Sequence, residues 1–543
     1  MKFVVIISLL AFTLFSIDSY AVPPYPGTFN DEYPSQFSKA PRLFSDHELR
    51  EHEITNCNAE RSKDSAIGEQ KVIVILIEFR DVKHNRDKAF FEDLIFSHTN
   101  PWSLYSYYKR ASDGKMELSG VILGWYSSLK DMAYYGKDGN SFDNANCDES
   151  ELVKEALSLA SKDGFDFSEY DNNGDGKIDH LIIVHAGPGQ EINNKPYGTN
   201  CIWSRYGKIQ PPELIDGLYA SKYCMVSEFS PIGVIAHEFG HSLGLPDLYD
   251  NKFTSNGIGI WGVMGYGVWF MGGKYPSLPC AWSKVYLGWV KPDVVTNDGK
   301  IILNNERNQI IKIPIDENEY FLIENLRGTG LNEYFPDGLL IWHIDDSVGC
   351  VEANDVNNNV HHKRVDLEEA DGYFDLDKRI NYGDSDDIYN DDNARSFSPY
   401  TIPNSFSYSG KDTGITIENI KVNDKCIEFD VKFGNSSSYT KDIVSKNDDI
   451  IIQNFPNPFN PDTWIPYHLK EDSNVLIKIY SVSGQLVRTL NLGYKTAGSY
   501  ISKSDSAYWD GKNEYGDTVA SGVYFYHLQT DKSILVKKMT MIK

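Results

Sequence analysis

Residues 230–247, SPIGVIAHEFGHSLGLPD, form the most informative stretch of this sequence. Ser230 is of a residue type that caps helix N-termini, and Pro231 suits the first helical position because its missing N–H needs no partner there. Gly244 followed by Pro246 is a helix stop signal. The pattern therefore predicts one helix from about residue 231 to residue 243, followed by a sharp reversal of the chain.

Two histidines of this predicted helix are four residues apart. His237 and His241 share one helix face, so both imidazoles can reach a single zinc ion, and Glu238 lies beside them to activate a water molecule. The turn at Gly244 brings Asp247 round as a third ligand. Three protein ligands and one open position are typical of a catalytic zinc site rather than a structural one.

The pattern HExxHxxGxxD, followed by GVMGYG at 262–267, resembles the metzincin metallopeptidases, in which a turn containing methionine lies beneath the metal. Further segments look like the immune inhibitor A family of secreted metallopeptidases, and the resemblance covers roughly residues 70–433. These segments are 170–187 (YDNNGDGKIDHLIIVHAG), 237–250 (HEFGHSLGLPDLYD), 281–290 (AWSKVYLGWV), 339–345 (LLIWHID) and 365–372 (VDLEEADG). The similarity implies zinc-dependent proteolysis, a third zinc ligand at Asp247, and bound calcium.

Two residues of the GVMGYG segment have predicted roles. The resemblance gives Met264 a structural role below the metal, with a methionine that only fills the core as the alternative. Tyr266 has the spacing at which astacins and serralysins place a tyrosine whose hydroxyl approaches the metal or the tetrahedral oxyanion. The alternative for Tyr266 is a packed aromatic side chain.

A calcium-binding pattern occurs at residues 171–179, DNNGDGKID. The candidate calcium ligands are Asp171, Asn173, Asp175, Lys177 and Asp179, with oxygen-donor side chains at positions 1, 3, 5 and 9 and a glycine at position 6. Position 12 is isoleucine instead of the glutamate of a full EF-hand. An ordinary turn rich in Asn and Gly is the alternative.

An acidic, Asn-rich stretch at 351–395 predicts either a mobile loop or a second cation site. A solvated acidic face is an equally good interpretation of the charged residues in and before it. The candidates for this second site are Asp345, Asp346, Glu368, Glu369 and Asp371.

The N-terminus predicts export. Lys2 precedes an apolar run that Asp18 closes, well short of the about 20 residues that a membrane helix needs. The pattern indicates a signal peptide over residues 1–21, with an uncleaved anchor as the alternative. No later stretch is apolar enough to span a bilayer, so we expect a secreted, extracellular protein. Residues 22–69 are an N-terminal extension or a prosegment.

The remaining chain divides by pattern. Intermixed helix and strand signals at 70–292 indicate an α+β or α/β catalytic domain, and short strand-like runs at 293–435 indicate an associated β-rich domain. A polar linker at 436–450 precedes a module at 451–543 whose regularly spaced strands suit a small β-sandwich. The expected fold is an α+β, metzincin-like zinc protease domain followed by an all-β region and a C-terminal Ig-like β-sandwich.

The C-terminal module has a likeness of its own. Its segments NFPNPFNP (454–461), WDG (509–511) and GVYF (522–525) resemble the Ig-like domain related to flagellar hook-capping proteins and the C-terminal sorting domains of exported bacterial proteins. The resemblance implies contact with the cell surface or with secretion machinery through residues 451–543. Passive stabilisation is the alternative.

Composition excludes one class of partner. The 543 residues include 52 Lys+Arg and 77 Asp+Glu, a formal net charge of −25, and so acidic a surface repels nucleic-acid phosphates. Seven cysteines are too few for a disulfide scaffold, with Cys201 and Cys224 the closest-spaced candidate pair. Cys57 is the one thiol in the extension and could occupy the open zinc position.

These observations predict a secreted zinc endopeptidase that hydrolyses peptide bonds in extracellular proteins, with Glu238 as general base. A surface adhesion protein with an inactive protease domain is one alternative. A zinc amidase acting on non-protein amides is another, because its chemistry is similar.

Overall fold

The computed structural model describes residues 20–23, 66–137, 149–192, 200–304, 309–331, 333–434, 449–451, 454, 459, 461–500 and 505–542. Cys57, Cys147 and most of the predicted linker lie outside these ranges. Among the described residues, no helix is both long and apolar enough to cross a membrane.

A six-stranded sheet lies at the centre of the first domain, in the spatial order β1-β5-β6-β4-β2-β3. Strands β2, β3, β4 and β6 are parallel, β5 is antiparallel to β6, and the short β1 is antiparallel to β5. The strands are β1 (Tyr20–Ala21), β2 (Gly68–Glu78), β3 (Met116–Ser127), β4 (Leu181–His185), β5 (Arg205–Ile215) and β6 (Leu218–Ser227).

Helices cover both faces of this sheet, and strand β2 is accordingly buried on both sides. Val72, Val74 and Leu76 belong to one apolar cluster, whereas Ile73 and Ile75 belong to the opposite one. The first cluster includes residues of α1, α2 and α5, and the second includes residues of α4. The helices are α1 (Lys88–Phe96), α2 (Leu104–Ala111), α3 (Met132–Gly136), α4 (Glu149–Lys162), α5 (Ile232–Ser242) and α6 (Ala281–Tyr286).

Short 3₁₀ helices occur in several connections of the described chain. They span Gln190–Ile192, Gly259–Trp261, Tyr266–Gly273, Leu326–Thr329 and Ser385–Asp387.

The second region is built from strands, as its sequence predicts. One sheet has the order β12-β11-β10-β9-β7 and another the order β13-β14-β8. Leu322 of β10 and Trp342 of β11 share an apolar cluster with the first domain, so the two regions pack together. The strands are β7 (Asp293–Val294), β8 (Gly299–Asn304), β9 (Ile310–Pro314), β10 (Glu319–Asn325), β11 (Leu339–Asp345), β12 (Val365–Leu367), β13 (Ile415–Val422) and β14 (Cys426–Phe433).

The C-terminal module has an apolar core of its own that includes Trp509 and Tyr526. Its sheets have the orders β15-β17-β20, β16-β21 and β19-β18-β22-β23. The strands are β15 (Ile450–Ile451), β16 (Thr463–Ile465), β17 (Tyr467–Leu469), β18 (Ser473–Ser481), β19 (Leu486–Lys495), β20 (Gly498–Tyr500), β21 (Ala507–Trp509), β22 (Gly522–Gln529) and β23 (Ile534–Met541).

The candidate disulfide between Cys201 and Cys224 is wrong. Both cysteines are buried and neither is in a disulfide. They cannot reach each other, because Cys201 packs in the cluster on one face of the central sheet and Cys224 in the cluster on the other face. Cys350 is disulfide-bonded, with its partner outside the described part of the chain.

Candidate metal centre and catalytic site

The predicted helix is α5, with small differences at its ends. Its N-cap is Pro231 rather than Ser230, whose hydroxyl instead accepts a hydrogen bond from the N–H of Ser227 at 3.0 Å. After the helix, Gly244 has a φ of +96°, a left-handed conformation that suits glycine. This residue reverses the chain and brings the following segment back towards the helix.

Three side chains converge at this reversal. His237 Nε2 lies 3.2 Å from His241 Nε2 and 3.1 Å from Asp247 Oδ1, and His241 Nε2 lies 3.3 Å from the same oxygen. All three residues are buried. The predicted ligand set is therefore brought together, with its coordinating atoms facing one another.

The three atoms fit a tetrahedral zinc ion. Ligands at about 2.0–2.1 Å from zinc in a tetrahedron lie about 3.3 Å apart, which is close to the three separations. Asp247 Oδ1 is buried without a hydrogen-bond donor, and an orphaned carboxylate oxygen facing two imidazole nitrogens is stabilised when a cation joins them. The donor set itself, two imidazoles and one carboxylate, is one that zinc accepts.

Backbone carbonyls orient both imidazoles. His237 Nδ1 lies 2.8 Å from the carbonyl oxygen of Val263, and His241 Nδ1 lies 2.7 Å from that of Leu245. A carbonyl can only accept, so each Nδ1 carries the proton and each Nε2 presents its lone pair. Burial lowers the pKa of His237, which favours the neutral imidazole that metal binding requires.

A residue that the sequence analysis missed holds the third ligand. The Asn354 side chain donates to Asp247 Oδ2 through Nδ2 and accepts from the Asp247 N–H through Oδ1 at 2.6 Å. Asn357 donates to the carbonyl of Leu248 at 2.9 Å. The Asn-rich stretch, predicted as a mobile loop or a cation site, thus packs against the turn that carries Asp247. Its high asparagine content was the only feature of the sequence that could have indicated such side-chain hydrogen bonds.

A tyrosine that was not predicted to act in catalysis also lies beside the candidate ligands. Tyr249 forms a hydrogen bond with the Asp247 carboxylate, and its ring centroid lies 6.3 Å from that of His237. Tyr266 packs against Tyr382, with ring centroids 4.5 Å apart. The catalytic role predicted for Tyr266 stays a prediction, and Tyr249 is the phenol that contacts a ligand.

Met264 lies directly against the helix that carries the histidines. It is fully buried, and a Cβ atom added to Gly240 would lie only 2.7 Å from its sulfur. Its carbonyl accepts from the N–H of Leu248 at 2.8 Å, which ties the methionine turn to the metal-binding turn. This packing is what a supporting role for Met264 requires.

Glu238 is fully buried beside the ligands. Burial raises the pKa of its carboxyl well above the usual range, and the negative charges of Asp247 and Glu191 act in the same direction. Its Oε2 has no hydrogen-bond partner, whereas its Oε1 accepts from the backbone N–H of Val22 at 3.1 Å. The predicted general base therefore faces a peptide nitrogen of the same chain.

That nitrogen belongs to a segment which crosses the site. Tyr20 and Ala21 pair antiparallel with β5, opposite Tyr206 and Arg205. Trp203 Nε1 donates to the Val22 carbonyl at 3.0 Å, and Trp269 Nε1 donates to the Pro23 carbonyl at 2.7 Å. Nothing in the sequence pattern indicated this contact between the end of the predicted signal peptide and the catalytic helix.

The predicted calcium loop closes on itself. Asp171 accepts from the N–H groups of Gly174 at 2.7 Å and Gly176 at 2.8 Å, and the Asp175 carboxylate pairs with Lys177 Nζ at 2.6 Å. The other two candidates face each other, with Asn173 Nδ2 donating to Asp179 Oδ1 at 2.9 Å. Calcium binding here stays a prediction.

The five acidic residues predicted to form a second cation site do not all come together. Glu369 and Asp371 meet Asp387, which was not predicted, with carboxylate oxygens within 4.8 Å of one another. Burial raises the pKa of Asp371 to about 6. Adjacent residues of an extended chain point to opposite sides, so Glu368 faces away, with its Oε1 3.0 Å from His343 Nδ1.

Asp345 and Asp346 are also engaged elsewhere. His362 Nε2 lies 2.9 Å from Asp345 Oδ2, and the Tyr320 hydroxyl donates to Asp346 Oδ2 at 2.9 Å. Neither carboxylate is a member of the Glu369–Asp371–Asp387 cluster.

A buried His–His–Asp set with a glutamate beside it is the arrangement of a hydrolytic metal centre. Residues 58–291 match the family model described as the immune inhibitor A peptidase M6 catalytic domain. The match includes the three candidate ligands and Glu238.

Two curated relatives are similar to part of the chain. The pre-pro-metalloprotease PrtV of Vibrio cholerae is 34% identical over 271 residues, which are 40% of this chain and 29% of PrtV. Immune inhibitor A of Bacillus thuringiensis subsp. alesti is 32% identical over 261 residues, 39% of this chain and 38% of that protein. The chain thus spans less than half of either relative, and the similarities support a metalloendopeptidase hydrolase.

A solved structure, wild-type OgpA from Akkermansia muciniphila, aligns with 90% of this chain and 97% of its own. Its sequence identity is 10% and the TM-score is 0.24, so this alignment carries no argument.

Proposed function

We propose that this protein is a secreted, zinc-dependent endopeptidase of metzincin type that hydrolyses peptide bonds in extracellular proteins. The observation that carries the proposal is the triangle of His237 Nε2, His241 Nε2 and Asp247 Oδ1, with sides of 3.1 to 3.3 Å, beside the buried carboxylate of Glu238. These three side chains would hold the zinc ion. When bound, zinc supplies Lewis-acid chemistry, polarising the substrate carbonyl and acidifying water.

Glu238 is the proton-transfer residue in this proposal. Its carboxylate accepts a proton from the attacking water and passes it to the amine that leaves. The contact between Glu238 Oε1 and the Val22 N–H places the carboxylate within 3.1 Å of a peptide nitrogen, which is the atom that must be protonated when the bond breaks.

Strand β5 is the surface on which a substrate backbone would lie. Strand β1 is outermost in the sheet and pairs with β5, so an extended peptide in the place of β1 would pair with the same backbone groups of β5. The pairing of Tyr20 and Ala21 with β5 supports this mode of binding, since these residues form such a strand. A polypeptide substrate matches this surface better than a small amide, which favours a peptidase over an amidase.

The remaining features of the proposal concern the rest of the chain. Calcium bound at 171–179 would stabilise the fold, and the 451–543 module would contact the cell surface or the secretion machinery. Retention of both histidines, Glu238 and Asp247 in ligating geometry favours an enzyme over an inactive adhesion protein.

A casein zymogram tests the proposal. Wild type should clear casein, a chelator should abolish the clearing, and zinc should restore it. Glu238→Gln should keep one zinc per chain yet lose activity by orders of magnitude, because the ligands remain while proton transfer is lost. Full turnover in this variant, or equal zinc content in wild type and His241→Ala, would contradict the proposal.

A further inference from the structure

The segment at the catalytic site defines a register relative to Glu238. The Val22 nitrogen is the peptide nitrogen that Glu238 contacts, so the bond between Ala21 and Val22 is the one adjacent to the proposed proton donor. Val22 then occupies the position of the first residue after the cut, and Pro23 that of the second. This assignment rests on the proposed function, in which Glu238 protonates the leaving amine.

Two indole groups hold the carbonyls of these two residues. Trp203, just before β5, donates to the first carbonyl, and Trp269, in the 3₁₀ helix Tyr266–Gly273, donates to the second. An indole N–H is only a donor, so each tryptophan suits a peptide carbonyl. Both side chains are almost completely buried, which fixes where the donors point.

The side chain of Val22 is enclosed as well. It is only 1% exposed and belongs to the apolar cluster that also contains Trp203 and Trp269. An enclosed apolar pocket disfavours a charged side chain, which would lose its hydration, and one filled by valine disfavours a much larger side chain.

We propose that Trp203 and Trp269 bind the first and second peptide carbonyls after the scissile bond, and that the pocket filled by Val22 selects a small branched aliphatic residue directly after that bond. The two tryptophans are positioning residues, and the pocket determines specificity.

Two synthetic peptides separate the role of Trp269 from a structural one. Both carry valine after the cut; the long peptide continues for two residues, whereas the short one ends at valine as an amide and has no second carbonyl. The purified full chain is used, with its N-terminus determined by mass spectrometry. Trp269→Phe should lower kcat/KM for the long peptide by about 3- to 10-fold, the range expected for one hydrogen bond, and leave the short peptide within about twofold.

Trp203→Phe should lower kcat/KM for both peptides, because both retain the first carbonyl. Equal losses on both peptides for Trp269→Phe would assign that tryptophan a structural role and overturn its part of the proposal. The phenylalanine preserves most of the packing, and a thermal melt of each variant checks the fold.

The pocket is tested on wild type alone, so the result does not depend on how the variants fold. Peptides with valine, isoleucine, aspartate or tryptophan after the cut should rank with valine and isoleucine at least about tenfold above the other two. Equal rates for all four would overturn the pocket assignment. Failure of the proposed function looks different, since cleavage then persists in Glu238→Gln, or is absent even where mass spectrometry shows that residues 20–23 have been removed.

Discussion

Asn354 binds Asp247 at two points, donating to its carboxylate and accepting from its backbone N–H, across 107 residues of sequence. The carboxylate oxygen that Asn354 leaves free, Oδ1, is the one that faces the two histidines. A side chain from the β-rich region therefore decides which oxygen of Asp247 faces the two histidines.

Replacing Asn354 should weaken metal binding without touching a ligand. Asn354 has a φ of +55°, so Asn354→Gly removes the side chain while tolerating the backbone conformation. We expect zinc affinity to fall by about 10- to 100-fold, measured by competition with a chelator. Asn358→Ala is the matched control, because Asn358 accepts from the Asn251 N–H at 2.8 Å in the same loop. Unchanged affinity in Asn354→Gly would remove this support from Asp247.

The roles of Tyr249 and Tyr266 can be distinguished by removing the hydroxyl group of each. Tyr249→Phe removes the hydrogen bond to Asp247 and should lower zinc affinity or kcat by about 10-fold or more. Tyr266→Phe should change either quantity by less than about twofold if Tyr266 only packs against Tyr382. The reverse ranking of the two variants would support the catalytic role predicted for Tyr266.

Gly240 leaves room for Met264. Gly240→Ala should destabilise the protein by about 1–3 kcal/mol, because its Cβ would lie 2.7 Å from the buried sulfur. Urea unfolding of this variant, of Met264→Ala and of the double variant measures the coupling. We expect the alanine at position 240 to cost less when Met264 is already shortened; strictly additive losses would show that the two positions do not interact.

His343 should make stability depend on pH above neutrality. Burial alone would lower its pKa, but hydrogen bonds and charges from Glu319 and Glu368 outweigh burial and raise the pKa to about 9. Because the folded pKa exceeds the unfolded value of about 6.5, this stabilisation is complete below pH 6.5 and is lost as the pH rises towards 9. His343→Gln should reduce the change of melting temperature with pH between pH 6.5 and about 9. The exposed control His361→Gln should leave this change as it is in wild type. An unaltered profile would contradict the assignment.

Calcium, if bound, should raise the melting temperature at millimolar concentration or below. Asp175→Ala should blunt the rise if the 171–179 loop is the site. Asp371→Ala serves as the comparison, and a response lost only in this second variant would place the calcium at the Glu369–Asp371–Asp387 cluster. A response unchanged in both would exclude these two positions.

Local spacing was enough to predict the catalytic helix. His237 and His241 are one turn apart, and Gly244 marks the reversal that delivers Asp247, so all three ligands follow from a short segment. Apolar runs of the sequence at 72–77, 116–123 and 181–184 also indicate strands, and these runs lie in β2, β3 and β4.

Contacts between distant segments could not be predicted. Asn354 reaches Asp247 through tertiary packing, and no local pattern links Val22 to Glu238. Tyr249 lies inside the quoted motif, but its spacing does not reveal which way the phenol points. The β5–β6 hairpin was missed because Pro211 and Pro212 interrupt β5, and proline within a run argues against a strand.

The pairing of β1 with β5 also bears on how two copies of this protein would interact in solution. When the Tyr20–Pro23 segment leaves, the outer backbone groups of β5 become unpaired, and an unpaired edge can join the same edge of another molecule. The surface proposed to bind a substrate peptide would then also be open to self-association. A net charge of −25 opposes such contacts through mutual repulsion. High salt screens this repulsion, so it should promote dimers of the protein from which residues 20–23 have been removed, and it should slow peptide cleavage at the same time.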